Sequence, residues 1–168
     1  TGVACSMRNI TARKKAEEEI LKSNERFELI GQATQDGLWE WNLETGQIWG
    51  NKIHQQLYGL TLADPVPDYE NWKQRIHPED REQTIRSFEE ALASTRDSYF
   101  SEYRFNKENT GWINVYGRTY IERNKEGKAV RLIGSMIDNT ESKKAEEAIR
   151  SSEEKYRTLV EQASDAIF

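Results

Sequence analysis

The chain has 168 residues and a net charge of −5, with 32% charged and 36% hydrophobic residues, which is enough for one domain plus charged flanking segments. A single cysteine excludes a disulfide framework and indicates a reducing compartment, and two distant histidines do not form a cluster of metal ligands. The acidic balance lacks the basic cluster of a nucleic-acid-binding protein, and no apolar run approaches the about 18 residues of a membrane span.

The first predicted element is a helix over residues 11–30, in which apolar or small side chains recur at alternating spacings of four and three. This is the a/d pattern of a coiled coil, and residues 141–162 repeat it. A narrow apolar stripe on a charged helix favours pairing with another helix. The alternative is that the helix packs its stripe against its own domain. The seam positions are Ala16, Ile20, Phe27 and Ile30 in the first helix and Ala145, Ile149, Tyr156 and Leu159 in the second.

Between the two helices, the pattern predicts two strands, several short helices and then three strands. A hairpin closes the first two strands, and Pro78 stands at the favoured first position of the longest of the middle helices. This order predicts an α+β fold, with a five-stranded antiparallel sheet and short helices on one face. The expected strands are 37–42, 47–50, 99–105, 112–122 and 129–137, and the expected helices are 51–58, 68–76 and 79–94.

The two ends of the chain resemble each other. Residues 1–39 align without a gap with residues 130–168, with twelve identities, and the match continues beyond the charged helices on both sides. Chance similarity between two charged helices does not explain the flanking identities, so we predict tandem domains. In this division, 1–10 ends a preceding domain, 11–30 is a connecting helix, 31–140 is a complete domain, 141–162 is a second connecting helix, and 163–168 begins a following domain.

Four segments, in order, resemble the PAS domain with its C-terminal PAC motif. They are the opening strand and turn (36–46), the sequence HPEDR (77–81), the strand pair beginning EYRF (102–105) and ending at Gly111-Trp112, and the closing LIGSMIDNT (132–140). Asn139 stands where the junction of this family has isoleucine. The resemblance implies a five-stranded PAS fold flanked by coiled-coil helices, in a multi-PAS bacterial sensor protein of which histidine kinases are the commonest kind.

The same resemblance implies a regulatory module that passes conformational change between the two helices and mediates dimerisation. Asp138 and Thr140 would form the junction with the output helix, with Thr140 expected as its N-cap. An alternative is a haem- or flavin-bearing sensor of gas, redox state or light. A stand-alone enzyme is a further alternative, but the sequence offers no Ser/His/Asp or Cys/His grouping for nucleophilic catalysis, and no catalytic residue is predicted.

In PAS domains, the sheet face beneath the helices lines the ligand cavity. Because many residues on this face are aromatic, a core closed by side chains is favoured here; no cofactor is predicted, and a small-molecule ligand stays open. Cys5 lies outside the domain, so it is not a flavin-binding cysteine, and His54 and His77 are expected at capping or surface positions. The candidate lining residues are Trp39, Trp41, Ile85, Phe88, Tyr103, Phe105, Ile113, Val115, Gly134 and Met136.

The expected partner is a second copy of the chain, bound through the flanking helices and the outer sheet face. Neighbouring PAS and effector domains of the same protein are expected as further partners. Nucleic acid is not expected as a partner, and no membrane-spanning segment is expected within this chain. We expect a cytoplasmic location, with membrane anchoring of the full receptor left open. The apolar residues expected on the outer face are Phe100, Trp112, Tyr116, Ile133 and Ile137.

Overall fold

The computed structural model describes residues 2–108 and 110–165, and the side chains of residues 10–108 and 110–162. Most predicted elements are found within one or two residues of their expected bounds. The helices are α1 (Gly2–Thr34), α2 (Lys52–Leu57), α3 (Tyr69–Arg75), α4 (Pro78–Ala93) and α5 (Thr140–Asp165), and the strands are β1 (Gly37–Asn42), β2 (Ile48–Gly50), β3 (Ser98–Lys107), β4 (Gly111–Arg123) and β5 (Ala129–Asp138).

The five strands form one antiparallel sheet in the order β2-β1-β5-β4-β3, which confirms the predicted α+β class and sheet. β2 and β3 are the two edges, so the segment joining them crosses the whole sheet. That segment contains α2, α3 and α4, which contact β1 and β3 and cover one face, the inner face. Side chains alternate accordingly along β3, where Tyr99 is 8% exposed and Phe100 is 59% exposed.

The core lies between the inner sheet face and the three short helices. Phe105, Val115, Leu132 and Ile76 are fully buried there, and Tyr58 of the α2 C-cap packs edge-on against Phe105 at 4.8 Å between ring centroids. Burying each such aliphatic or aromatic side chain stabilises the fold by about 1.5–3 kcal/mol. The core therefore fixes how α2, α3 and α4 sit over the sheet.

The start of α4 is fixed by the HPEDR segment. His77 is the N-cap, its Nδ1 accepting from the Glu79 amide at 3.3 Å, and Pro78 is the first helical residue, so the prediction of a capping histidine is confirmed here. Asp80 Oδ2 accepts hydrogen bonds from both the backbone N–H and the Nε of Arg104, each at 2.9 Å. This pair ties α4 to β3 and lowers the pKa of Asp80 to about 2.

Helix α1 is longer than the predicted 11–30 at both ends. At its C-terminus Gln35 adopts φ +59°, and the Asp36 amide donates to the Gly31 carbonyl at 3.0 Å, which is the Schellman arrangement that ends a helix. At the other end the helix includes residues 2–10. Residues 2–10, which the sequence assigns to the end of a preceding domain, thus continue the same helix.

The division into neighbouring domains stays a prediction. Helix α5 covers the expected 141–162 and continues to Asp165, so residues 163–165, assigned to the start of a following domain, are helical. Residues 166–168 of that assignment lie outside the described part of the chain. The repeat between the two ends is a property of the sequence and does not depend on these bounds.

Candidate functional site

A cavity of about 70 Å³ lies between the inner sheet face and helices α2, α3 and α4. Its wall is mainly aromatic, with a few hydroxyl groups from the strands. Among the predicted lining residues, the structure brings Trp39, Trp41, Phe88, Tyr103 and Met136 together around it.

The other five predicted lining residues do not reach the cavity. Phe105, Ile113 and Val115 point to the same sheet face as expected, but they lie where Leu57, Tyr58 and Ile76 fill the space above the strands. Ile85 packs against that closed cluster from α4. Strand alternation predicts the face on which a side chain lies, whereas the helices above decide which part of that face stays open.

Gly134 also differs from the prediction, because it makes room for a ring. A Cβ atom at this position would lie 2.4 Å from the Trp39 ring, so the glycine lets the indole lie flat over β5. The two residues face each other in the β1–β5 register. Gly134 therefore positions Trp39 at the cavity and does not itself line it.

The sequence did not indicate several lining residues, because they lie in the segment 51–76, which has no sustained periodicity. Tyr58, Tyr69 and Trp72 come from this segment and complete the aromatic wall. Tyr69 stacks on Trp41 at 5.3 Å and on Trp72 at 5.5 Å between ring centroids. The signal that could have identified them is the density of aromatic residues in an otherwise polar stretch.

Two polar atoms in the cavity wall are buried without a hydrogen-bond partner among the described residues. They are Trp39 Nε1 and His54 Nδ1. His54 is 4% exposed, contrary to the expected surface or capping position, because the short helix α2 turns its ring toward Tyr58, 5.0 Å away. Burial lowers the pKa of His54 to about 4, so its imidazole is neutral near pH 7.

Part of the polar surface of the cavity wall is satisfied within the wall itself. Trp72 Nε1 donates to Tyr103 Oη at 2.8 Å, which joins α3 to β3. Among the described residues no group of three His, Cys, Asp or Glu side chains could hold a metal ion. Within the same part of the chain no helix combines the length and apolarity needed to cross a membrane.

The N-terminal junction connects α1 with the helix that carries His54. The Glu28 carboxylate accepts from the Lys52 amide at the start of α2, at 3.2 and 3.4 Å. Buried Asn51 caps α2, with Oδ1 accepting from the His54 amide at 2.8 Å, while Nδ2 donates to the Asp36 carbonyl at 3.0 Å. A Cβ at Gly31 would lie 1.9 Å from Asn51 Nδ2, so only a glycine allows this approach.

The C-terminal junction joins β4 to the first turn of α5. Thr140 is the first helical residue, and its Oγ1 accepts from the Asn114 amide at 2.8 Å while the Asp138 carboxylate accepts from the Thr140 amide at 3.0 Å. The Asn139 carbonyl accepts the first helical bond, from the Lys143 amide at 3.0 Å. The expected N-cap role of Thr140 is therefore wrong, since its hydroxyl faces the strand instead of the helix end.

Replacing Thr140 with alanine is expected to lower the free energy of unfolding by about 1–3 kcal/mol, because the part-buried Asn114 amide loses its acceptor. Thr140→Ser keeps the hydroxyl and is the matched control. Urea denaturation of both variants measures the difference. Equal midpoints for Thr140→Ala and Thr140→Ser would contradict this role of the hydroxyl.

The predicted seam of α5 is an exposed stripe. Ile149, Tyr156 and Leu159 are 62%, 72% and 65% exposed, and Ala145 is also exposed. Charged residues flank the stripe, and no other described element covers it. Three large apolar side chains on one exposed helix face are the arrangement that a second helix would bury.

The seam of α1 divides into two parts. Ala16 and Ile20 are exposed, the latter by 61%, and Ile30 is 48% exposed. Phe27 instead packs against Trp49 of β2, with 5.9 Å between ring centroids. The alternative of a helix lying on its own domain therefore holds at Phe27, while the more N-terminal seam positions have the exposure that pairing requires.

The outer sheet face carries a further apolar surface. Phe100 and Trp112 are 59% and 47% exposed, as predicted, and Tyr120 adds a third ring at 54%. Tyr116, Ile133 and Ile137 are half-buried. The His77 ring at the N-cap of α4 packs edge-on against Trp112 with 4.5 Å between ring centroids, whereas none of the described helices covers Phe100 or Tyr120.

A family model described as the PAS fold matches residues 47–136 of the chain. The non-motile and phage-resistance protein of Caulobacter vibrioides is 26% identical over 98% of the chain, and a blue-light-activated histidine kinase of Brucella anthropi is 29% identical over 76% of it. A probable diguanylate cyclase of Escherichia coli is 27% identical over 95% of the chain. The chain spans only 14 to 25% of the length of these relatives.

Solved structures show the same architecture. A sensory box histidine kinase/response regulator from Burkholderia thailandensis superposes with a TM-score of 0.66 and 29% identity, covering 79% of this chain and 98% of that one. The N-terminal domain of a diguanylate cyclase with a PAS/PAC sensor from Marinobacter aquaeolei superposes with a TM-score of 0.57 at 20% identity, covering 64% of this chain and 97% of that one. The second likeness concerns the fold alone.

Proposed function

The chain belongs to the PAS family of regulatory sensory modules, and we propose that it relays conformational change from α1 to α5 as a homodimer. The observation that carries this proposal is the pair of helices that leave the domain with exposed apolar stripes. Both helices are hydrogen-bonded to the domain at their inner ends, α1 through Glu28 and α5 through Thr140. A movement inside the domain can therefore change how each helix meets its partner.

The protein that contains this module is proposed to be a bacterial signalling enzyme, with a sensor histidine kinase as the first choice. The relatives support this choice in part, since they include a histidine kinase and a probable diguanylate cyclase. In such proteins the PAS module is regulatory and the output domain lies elsewhere in the chain. The single cysteine supports a cytoplasmic location, because disulfides are scarce in reducing compartments.

A second candidate function is ligand sensing in the cavity. The unpaired Trp39 Nε1 and His54 Nδ1 favour a small, uncharged molecule that offers a hydrogen-bond acceptor to the indole. At about 70 Å³ the cavity is far below the about 300–1,000 Å³ of ordinary ligand pockets, so a haem or flavin would require the aromatic wall to move. A visible absorption band in the purified chain would distinguish a cofactor-bearing sensor from the relay module.

Replacing Ile149 with aspartate is expected to shift the chain from dimer to monomer, because the substitution places a charge in the middle of the buried seam. Loss of one such apolar contact and burial of an unpaired carboxylate should weaken association by at least about tenfold. Sedimentation equilibrium across a concentration series measures the dissociation constant.

The control is Arg150→Asp, which changes the charge by a larger amount on the neighbouring exposed position outside the seam. Retention of the dimer in Arg150→Asp and its loss in Ile149→Asp would support the seam. A monomer for the unmodified chain at high concentration would contradict the proposed homodimer.

A further inference from the structure

Glu102 lies on the outer face of the edge strand β3 and contacts the start of α5 at two places. Its Oε1 accepts from Asn139 Nδ2 at 2.8 Å, and its Oε2 accepts from Lys143 Nζ at 3.0 Å. Asn139 immediately precedes the helix, and Lys143 lies one turn further along. Residues four apart lie on the same side of a helix, so one carboxylate holds one side of the first turn.

Through Glu102, α5 is attached to a second strand of the sheet. Two hydrogen bonds join the start of the helix to Asn114 of β4: the Asn114 amide donates to the Thr140 hydroxyl at 2.8 Å, and the Asn139 amide donates to the Asn114 carbonyl at 2.9 Å. Both bonds go to one residue of one strand, about which the helix could still turn. Glu102 joins the same turn to β3, the neighbouring strand. Two attachments on two strands define both the direction of α5 and its rotation about its axis.

The same part of β3 is attached to the helices over the cavity. Tyr103, the next residue, accepts from Trp72 of α3 on the inner face, and Arg104 pairs with Asp80 at the start of α4. Three consecutive residues of one strand thus contact α5, α3 and α4. A shift of α3 or α4 reaches Glu102 through a peptide backbone that is itself paired along β4.

We propose that Glu102 is a positioning residue that sets the rotational orientation of α5, acting through Asn139 and Lys143. This inference rests on the proposed relay and names the contact through which the relay reaches the output helix. Asn139 has a specific role in it, because its amide donates to the carboxylate where the isoleucine of the family junction could not.

The contact is suited to orientation more than to stability. The Glu102 and Lys143 side chains are 46% and 37% exposed, and ion pairs so near solvent contribute little to the free energy of unfolding. Variants of Glu102 should therefore fold normally. A change in the direction of α5 can then be measured in a folded protein, which separates positioning from a merely structural role.

The test is a distance measurement between spin labels in the 168-residue chain. Labels are attached at Lys125→Cys, in the exposed β4–β5 turn, and at Glu153→Cys on α5, with Cys5→Ser removing the natural thiol. Labelled chains are diluted with unlabelled ones so that only distances within one chain are recorded. The unmodified junction should give one narrow distance distribution.

Glu102→Ala and Lys143→Met are each expected to broaden that distribution and to accelerate amide exchange over residues 143–147 by roughly fivefold. Lys144→Met is the matched control, because among the described residues Lys144 pairs with Glu141 of its own helix and with no residue of the sheet. The charge exchange Glu102→Lys with Lys143→Glu should narrow the distribution again only in part, because it restores the ion pair but leaves Asn139 Nδ2 without its carboxylate acceptor. Broadening in Lys144→Met to the same extent, or an unchanged distribution in Glu102→Ala, would overturn the proposal.

The failure of this inference can be distinguished from failure of the relay itself. Each variant is also examined by sedimentation, which reports on dimerisation and not on the junction. If the chain is a dimer and the orientation of α5 is the same with and without Glu102, the positioning role is wrong while the proposed relay is not contradicted. A monomeric chain would contradict the homodimer, while the distances within one chain would still decide the role of Glu102.

Discussion

Deleting one residue from the segment 146–152 of α5 is expected to abolish signal output from the receptor that carries this chain, and deleting all seven is expected to restore it. A helix advances about 100° per residue, so one deletion turns every downstream residue away from its partner. Seven residues make nearly two full turns, which returns Tyr156 and Leu159 to the seam. The segment begins beyond Lys143, so the junction with the sheet stays intact.

Intermediate deletions make the test sharper. Removal of three or four residues leaves the downstream stripe about 40–60° from its original direction, so partial recovery is expected there. The measurement is output activity across deletions of one to seven residues, with protein levels as the control for folding. A steady decline with length, or no effect at any length, would show that α5 acts as a spacer and not as a relay.

Acidification from pH 6.5 to about pH 4 is expected to lower the free energy of unfolding by about 3 kcal/mol through His54 alone. Burial depresses its pKa in the folded chain, so the unfolded chain binds the proton more readily. The contribution of neutral His54 to the free energy of unfolding is therefore complete above its pKa in the unfolded chain. That contribution is lost as the pH falls toward its lower pKa in the folded chain. When the buried His54 ring is protonated, its Nδ1–H has no hydrogen-bond acceptor among the described residues.

His54→Leu is expected to flatten this part of the stability profile, because leucine fills a similar volume and does not titrate. His77→Asn is the matched control, since asparagine is a favoured N-cap and keeps the start of α4. Urea denaturation at half-unit pH intervals measures both variants and the unmodified chain. An unchanged acid slope in His54→Leu would contradict the assignment of this loss to the buried imidazole.

Much of the fold follows from patterns local in the sequence. Alternation along 99–105 predicts that Tyr103 and Phe105 share one face, and both are buried there. The proline after His77 predicts the start of α4, where the structure has it. Such features depend on neighbouring residues along one strand or helix, so their physical causes are contained in short segments.

Only about half of the cavity-lining residues were predictable, because the others are brought to the cavity by contacts between distant segments. Trp72 and Tyr69 lie in a segment without alternation or helical periodicity, and only the packing of α3 over the sheet brings them to Trp41. His54, expected at a cap or at the surface, is buried because the short helix α2 packs against α1 on one side and against strands β1 and β5 on the other. No local pattern records such contacts between distant segments.

By itself the sequence determined the fold class, the order of strands and helices, the repeat of its ends and the stripe on α5, because each depends on periodicity or on local turn and cap chemistry. Only the tertiary structure decided which part of the inner face stays open, that Phe27 packs on Trp49, and that Glu102 holds Asn139 and Lys143. These contacts join residues far apart in the chain, and their distances are set by how the whole core packs.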